Sequence, residues 1–112
     1  LSLAEQVLKS FAPTRHREIT AETIQKVVAE RFNVSINDLI GKRRTHNIAF
    51  ARQVAMYLCR KLTGCSSPEI GALFGGRDHS TVIHANRAIG EKAASDPQFT
   101  IDLDVIEKRL SD

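Results

Sequence analysis

Apolar side chains recur at helical intervals along nearly the whole chain, and nowhere at the alternating interval of a strand, so the fold is restricted to packed helices. Leu3, Val7, Leu8 and Phe11 share one stripe of a leading helix that Pro13 ends. Thr20 is placed to cap a helix whose Ile24, Val27, Val28 and Phe32 lie on one face, and Ser35-Ile36-Asn37-Asp38 opens a short turn that Gly41 stops. The longest helix is expected from about Asn47 to Thr63, with Ile48, Ala51, Ala55, Leu58, Cys59 and Leu62 as its stripe and Gly64 as its stop. Arg52, Gln53 and Arg60 fall within ~100° of one another on the flank beside that stripe, free to touch a partner. The expected class is an all-α helical bundle with no internal repeat.

Two glycines divide the next two helices. Ser66-Ser67-Pro68-Glu69 has capping-box spacing with proline in the first turn, so a short helix starts there and turns Ile70, Leu73 and Phe74 inward. Gly75-Gly76 then make a turn, and Asp78 is placed to cap the helix after it. His79, Ser80 and Thr81 project from its first turn, while Val82, Ala85 and Ile89 pack inward and leave Thr81, His84 and Arg87 off the apolar stripe. Helix, glycine turn and polar-tipped helix are the parts of a helix-turn-helix. Asp96-Pro97 introduces a last helix with Phe99, Leu103, Ile106 and Leu110 as its buried line.

Charge is distributed in the same pattern. Residues 1 to 41 are neutral, residues 42 to 92 carry net +6, and residues 93 to 112 carry net −3. No acid lies between Asp38 and Glu69. Such a local positive field attracts a polyanion and steers its approach. For Lys42, Arg43, His46 and Lys61, a solvated side chain and a polyanion contact are equally compatible with the sequence.

At 112 residues the chain can bury roughly two-thirds of its unfolded surface around one core. Cys59 and Cys65 form no CxxC pair and follow no secretory leader, which points to a reducing cytoplasm, with Cys59 a small buried hydrophobe. No apolar run approaches the ~20 residues of a membrane span, so the expectation is a soluble, cytoplasmic protein.

Other chemistry fails on spacing. His79 and His84 are ~140° apart on a helix, whereas the zinc-protease pair needs a four-residue step. The adjacent Asp78-His79-Ser80 cannot converge on one reacting atom as a triad must. No GxxxxGK[ST] loop occurs, so no nucleotide-phosphate cradle of that type is present. The chain reads as a non-enzyme without a catalytic residue, metal or cofactor of its own.

The segments Ile24 to Glu30, Lys42-Arg43-Arg44, Ala51 to Met56 and above all Gly75 to Ala85 resemble the C-terminal DNA-binding domain of the bacterial DnaA replication-initiator family. The resemblance runs from about Ile19 to the C-terminus. It implies a Trp-repressor-like helix-turn-helix domain over residues 19–112, preceded by a connector helix and linker over residues 1–18. It implies binding of double-stranded DNA at DnaA boxes of the replication origin, for initiation of chromosomal replication. By matching position, Arg44 enters the minor groove, and Asp78, His79, Ser80 and Thr81 meet bases or adjacent phosphates in the major groove. Arg52, Gln53, Arg60, Ser67, His84 and Arg87 lie near the phosphate backbone, with Pro68 beside a thymine methyl. ATP is implied only for a preceding AAA+ domain, through which other initiator protomers would assemble. The amphipathic leading helix is a candidate for acidic phospholipid contact. Two positions depart from the family pattern: Ala51 stands where many relatives have proline, and Ser80 where some have threonine. A stand-alone helix-turn-helix transcriptional regulator is the alternative from the residues alone, and a protein-interaction or membrane-surface module is a third reading.

Overall fold

A computed structural model describes residues 19–43 and 45–111 of the chain; the leading helix expected over Leu1 to Phe11 and the minor-groove candidate Arg44 lie outside the described residues. Among the described residues six helices occur in order: α1 Ala21–Phe32, α2 Ile36–Ile40, α3 His46–Thr63, α4 Ser67–Leu73, α5 His79–Ser95 and α6 Pro97–Ser111. No strand occurs among the described residues. The fold is all-α.

Three helix starts obey the sequence signals. The Thr20 hydroxyl accepts from the Thr23 amide, and Ser35 with Asp38 and Ser66 with Glu69 form complete capping boxes at α2 and α4. In the second box the Ser66 amide donates to Glu69, which holds the glutamate below its ordinary carboxylate range. Pro68 fits the first turn of α4, where its missing N–H would have had no helical acceptor.

Helix α3 is the centre of the molecule and packs against α1, α2, α4 and α5, while α6 lies across α1 and α5. Its burial is wider than the expected stripe: Val54 and Met56 join Ile48, Ala51, Ala55, Leu58 and Cys59 in the core. Burial pushes the Cys59 thiol up to about 12, so at neutral pH this sulfur is a protonated, apolar group. The core is completed by Ile24, Val28, Leu39, Ile70, Phe74, Val82, Ile89, Phe99, Leu103, Ile106 and Leu110. Each such large side chain contributes about 1.5–3 kcal/mol relative to its exposure in water. The inward position expected for Leu73 is not found: the side chain is 40% exposed, and its backbone carbonyl accepts from the amide of buried Gln25 at 3.1 Å. The short α4 ends there, so Ile70 and Phe74 turn into the core and Leu73 does not.

At one side of the bundle the Phe32, Phe50 and Phe99 rings meet in sequence, edge to face and then tilted, at centroid distances of 5.7 and 5.6 Å, with the Lys92 ammonium over the last two. Charged residues of α6 are matched to partners on the helices beneath: Arg109 pairs with Glu30, Arg31 lies 3.6 Å from Asp102, and Lys61 donates to Glu107 at 2.8 Å. The Glu107 bond raises the Lys61 pKa. Lys61 and Lys92 are thus occupied within the molecule.

Candidate nucleic-acid interface

The turn between α4 and α5 is built from glycine for two separate reasons. Gly75 and Gly76 both adopt left-handed backbone, with φ of 86° and 76°, a conformation that carries little cost only without a Cβ. Gly71 is required by contact: a Cβ there would lie 2.1 Å from the Arg77 carbonyl oxygen. The chain passes so close because the Arg77 amide donates back to the Gly71 carbonyl at 2.8 Å. This bond folds the turn onto α4 and fixes where α5 begins.

Asp78 occupies the N-cap position of α5 in extended backbone, as expected, but its side chain does not cap the helix. The carboxylate instead accepts from the Ser80 hydroxyl at 2.5 Å, which holds the Asp78 carboxyl below the usual range. It is therefore an ionised acceptor at neutral pH. His79 Nδ1 lies 3.5 Å from the same carboxylate, and the two side chains are 58% and 68% exposed. Ser80 and Thr81 are exposed beside them. Four polar side chains thus stand on the open tip of a helix whose remaining inner face is apolar.

Behind the tip, α3 and α5 enclose a notch of about 370 Å³ lined by Ala49, Arg52, Gln53, Met56, Arg77, Thr81, His84 and Ala85. Gln53 is half-buried in it and His84 is exposed at it. Arg87 is exposed three residues further along α5, a position consistent with the same outward side. Arg60, also exposed, donates to the Cys65 carbonyl at 2.9 Å and braces the α3–α4 loop, next to half-buried Ser67 and exposed Pro68.

Arg52 departs from its expected place on an exposed flank. Only 6% of it is exposed, because its guanidinium turns under α2: Nε donates to the Leu39 carbonyl at 2.7 Å, and Nη2 to the carbonyls of Asp38, Arg43 and Gly41 at 2.7, 3.0 and 3.3 Å. The physical reason is the end of α2. A five-residue helix leaves its last carbonyls without helical donors, and an arginine fork satisfies several at once. Arg77, counted in the sequence only as one basic residue, meets the same loop: Nη2 donates to Gly41 at 2.6 Å and Nη1 to Phe74. Arg77, Gly71 and the buried role of Arg52 are what sequence reasoning missed. A glycine inside a helical segment was the one visible signal.

Turn, exposed polar helix tip and adjacent basic segment together define a DNA-binding domain of the helix-turn-helix class. The profile described as the bacterial dnaA protein helix-turn-helix matches residues 21–89, and the chain belongs to that family. It is 46% identical over 110 residues to the chromosomal replication initiator proteins DnaA of Burkholderia multivorans, Burkholderia cenocepacia and Burkholderia mallei, an alignment covering 98% of this chain and 21% of each relative. The chain therefore spans about a fifth of the length of these relatives. A solved structure described as a DNA replication initiation factor superposes with a TM-score of 0.69 at 32% identity, over 80% of this chain and 28% of that one.

Proposed function

We propose that this chain binds duplex DNA at DnaA boxes and so places an initiator on a bacterial replication origin. The observation that carries the reading is the exposed set Asp78, His79, Ser80 and Thr81 at the tip of α5. In the major groove these groups face base edges: ionised Asp78 accepts from a cytosine amine, and His79, Ser80 and Thr81 meet bases or adjacent phosphates. Gln53, His84 and Arg87 then run along the phosphate backbone, Arg60 and Ser67 meet it at the α3–α4 junction, and Pro68 lies by a thymine methyl. Arg44, in the basic segment before α3, suits the electronegative minor groove of an A·T-rich step. Arg52 lines the notch of this surface and braces the loop under α2. ATP chemistry, contacts between protomers and the chromosomal setting in the cytoplasm belong to the larger initiator of which a chain like this forms the DNA-binding part.

Titration against a box duplex and a random duplex over a salt series tests this. The box should bind at least about 10³-fold more tightly at physiological salt, and log K on both duplexes should fall with log salt by ~0.9 per phosphate neutralised. Equal affinity for the two duplexes would refute box recognition while leaving non-specific binding in place.

A further inference from the structure

The two arginines that meet at the Gly41 carbonyl come from opposite sides of the proposed DNA surface. Arg52 belongs to α3, and Arg77 is the second residue before α5. Between them they take up the backbone carbonyls of Asp38, Leu39, Gly41 and Arg43, so that the chain leading into Lys42-Arg43-Arg44 is held from below and from the side. The glycine turn abuts the same place: a Cβ on Gly75 would lie 2.2 Å from the Ile40 carbonyl oxygen. The basic segment and the start of the recognition helix therefore share one hydrogen-bonded, close-packed joint. Arg43 and Lys42 remain exposed, so the joint uses only their backbone.

We propose that Arg52 and Arg77 are positioning residues that hold residues 41–43 at a fixed offset from α5, so that minor-groove and major-groove contacts are made in register by one preorganised surface. The inference rests on the two-groove reading above. Its physical basis is that a loop ordered before binding need not lose its freedom at the moment of binding, whereas an untethered loop must. Planar guanidinium forks suit this role, because each serves several carbonyls in fixed directions, as a lysine ammonium cannot.

The charge-preserving variant Arg77→Lys separates positioning from phosphate contact. Binding is measured on a series of box duplexes, each with one base pair changed, for the parent, Arg77→Lys, Arg52→Lys, Arg44→Ala and His79→Ala. Arg77→Lys should lose about tenfold of discrimination at those base pairs where Arg44→Ala loses it, and none where His79→Ala does. In the free protein, 15N relaxation of the Gly41, Lys42 and Arg43 amides should fall from rigid order parameters near ~0.85 towards the flexible range below ~0.6. Arg52→Lys should do the same if it folds; Arg77→Lys, altering a half-buried side chain, keeps the test decisive if it does not. Unchanged relaxation in Arg77→Lys, or unchanged discrimination at every base pair, overturns the proposal. So does a uniform loss on all duplexes alike, which marks a direct phosphate contact that is blind to sequence. A parent without box preference, or an Arg44→Ala variant without any loss, defeats the two-groove reading instead, and the relaxation result then decides the tether by itself.

Discussion

Gly71→Ala is expected to destabilise the fold by about 3 kcal/mol, although alanine is the better helix former. The added methyl would meet the Arg77 carbonyl oxygen at 2.1 Å, and that oxygen is backbone in a turn already fixed by two left-handed glycines. Relief requires moving the Arg77 amide off the Gly71 carbonyl, which opens the joint between α4 and α5. A loss of this size lowers the melting temperature by roughly 12–24 °C in a domain of these dimensions. Gly90→Ala provides the opposite sign. It lies within α5, where a Cβ meets only Tyr57 at an ordinary 3.9 Å, so helix propensity should prevail and stabilise by about 0.5–1 kcal/mol. Circular-dichroism melts of the two variants check the pair. A Gly71→Ala protein that melts with the parent would show that the turn yields without cost, and that the α4–α5 junction is not tight.

His79→Ala should reduce affinity for the preferred box by about 2 kcal/mol, roughly thirtyfold, while leaving affinity for random duplex almost unchanged. The residue is exposed at the tip of α5 and supports no part of the core, so the loss is one of recognition. Arg87→Ala should behave differently. A phosphate contact is blind to sequence, so box and random duplex should weaken together and the salt slope should shrink by ~0.9. Arg87 is the proper comparison for holding, because Arg52 is buried under α2 and its removal would disturb the loop before any phosphate is lost. An unchanged ratio of box to random affinity in His79→Ala would remove the base-reading role from this residue.

Local signals carried most of the architecture. Thr20, Ser35 and Ser66 cap helices where their spacing placed them, and the stripes Val82, Ala85, Ile89 and Phe99, Leu103, Ile106, Leu110 are buried as their periodicity required. These are properties of one helix at a time. The parts that were not legible depend on elements distant in sequence. A helical wheel gives the direction of Arg52 but not the presence of α2 above it, and neither propensity nor charge shows that the α2 carbonyls lack donors. Leu73 fits the inward pattern of α4, yet the helix ends under it and the pattern has no further turn to cover the side chain. In the candidate interface, the exposure of Asp78 to Thr81 was legible because a glycine turn leaves the first turn of the next helix open. Arg77 was not, because its partners at Gly41 and Phe74 are brought together only by the folded turn.

The central claim, that the tip of α5 and the basic segment before α3 read a defined DNA sequence, is tested most directly by selecting binding sites for this chain from a pool of random duplexes. The pool should converge within a few rounds on one short motif, that of a DnaA box, and His79→Ala should relax the motif at a restricted set of its positions. A pool that remains random while still being retained at low salt would show an electrostatic binder without sequence preference, and would contradict the claim.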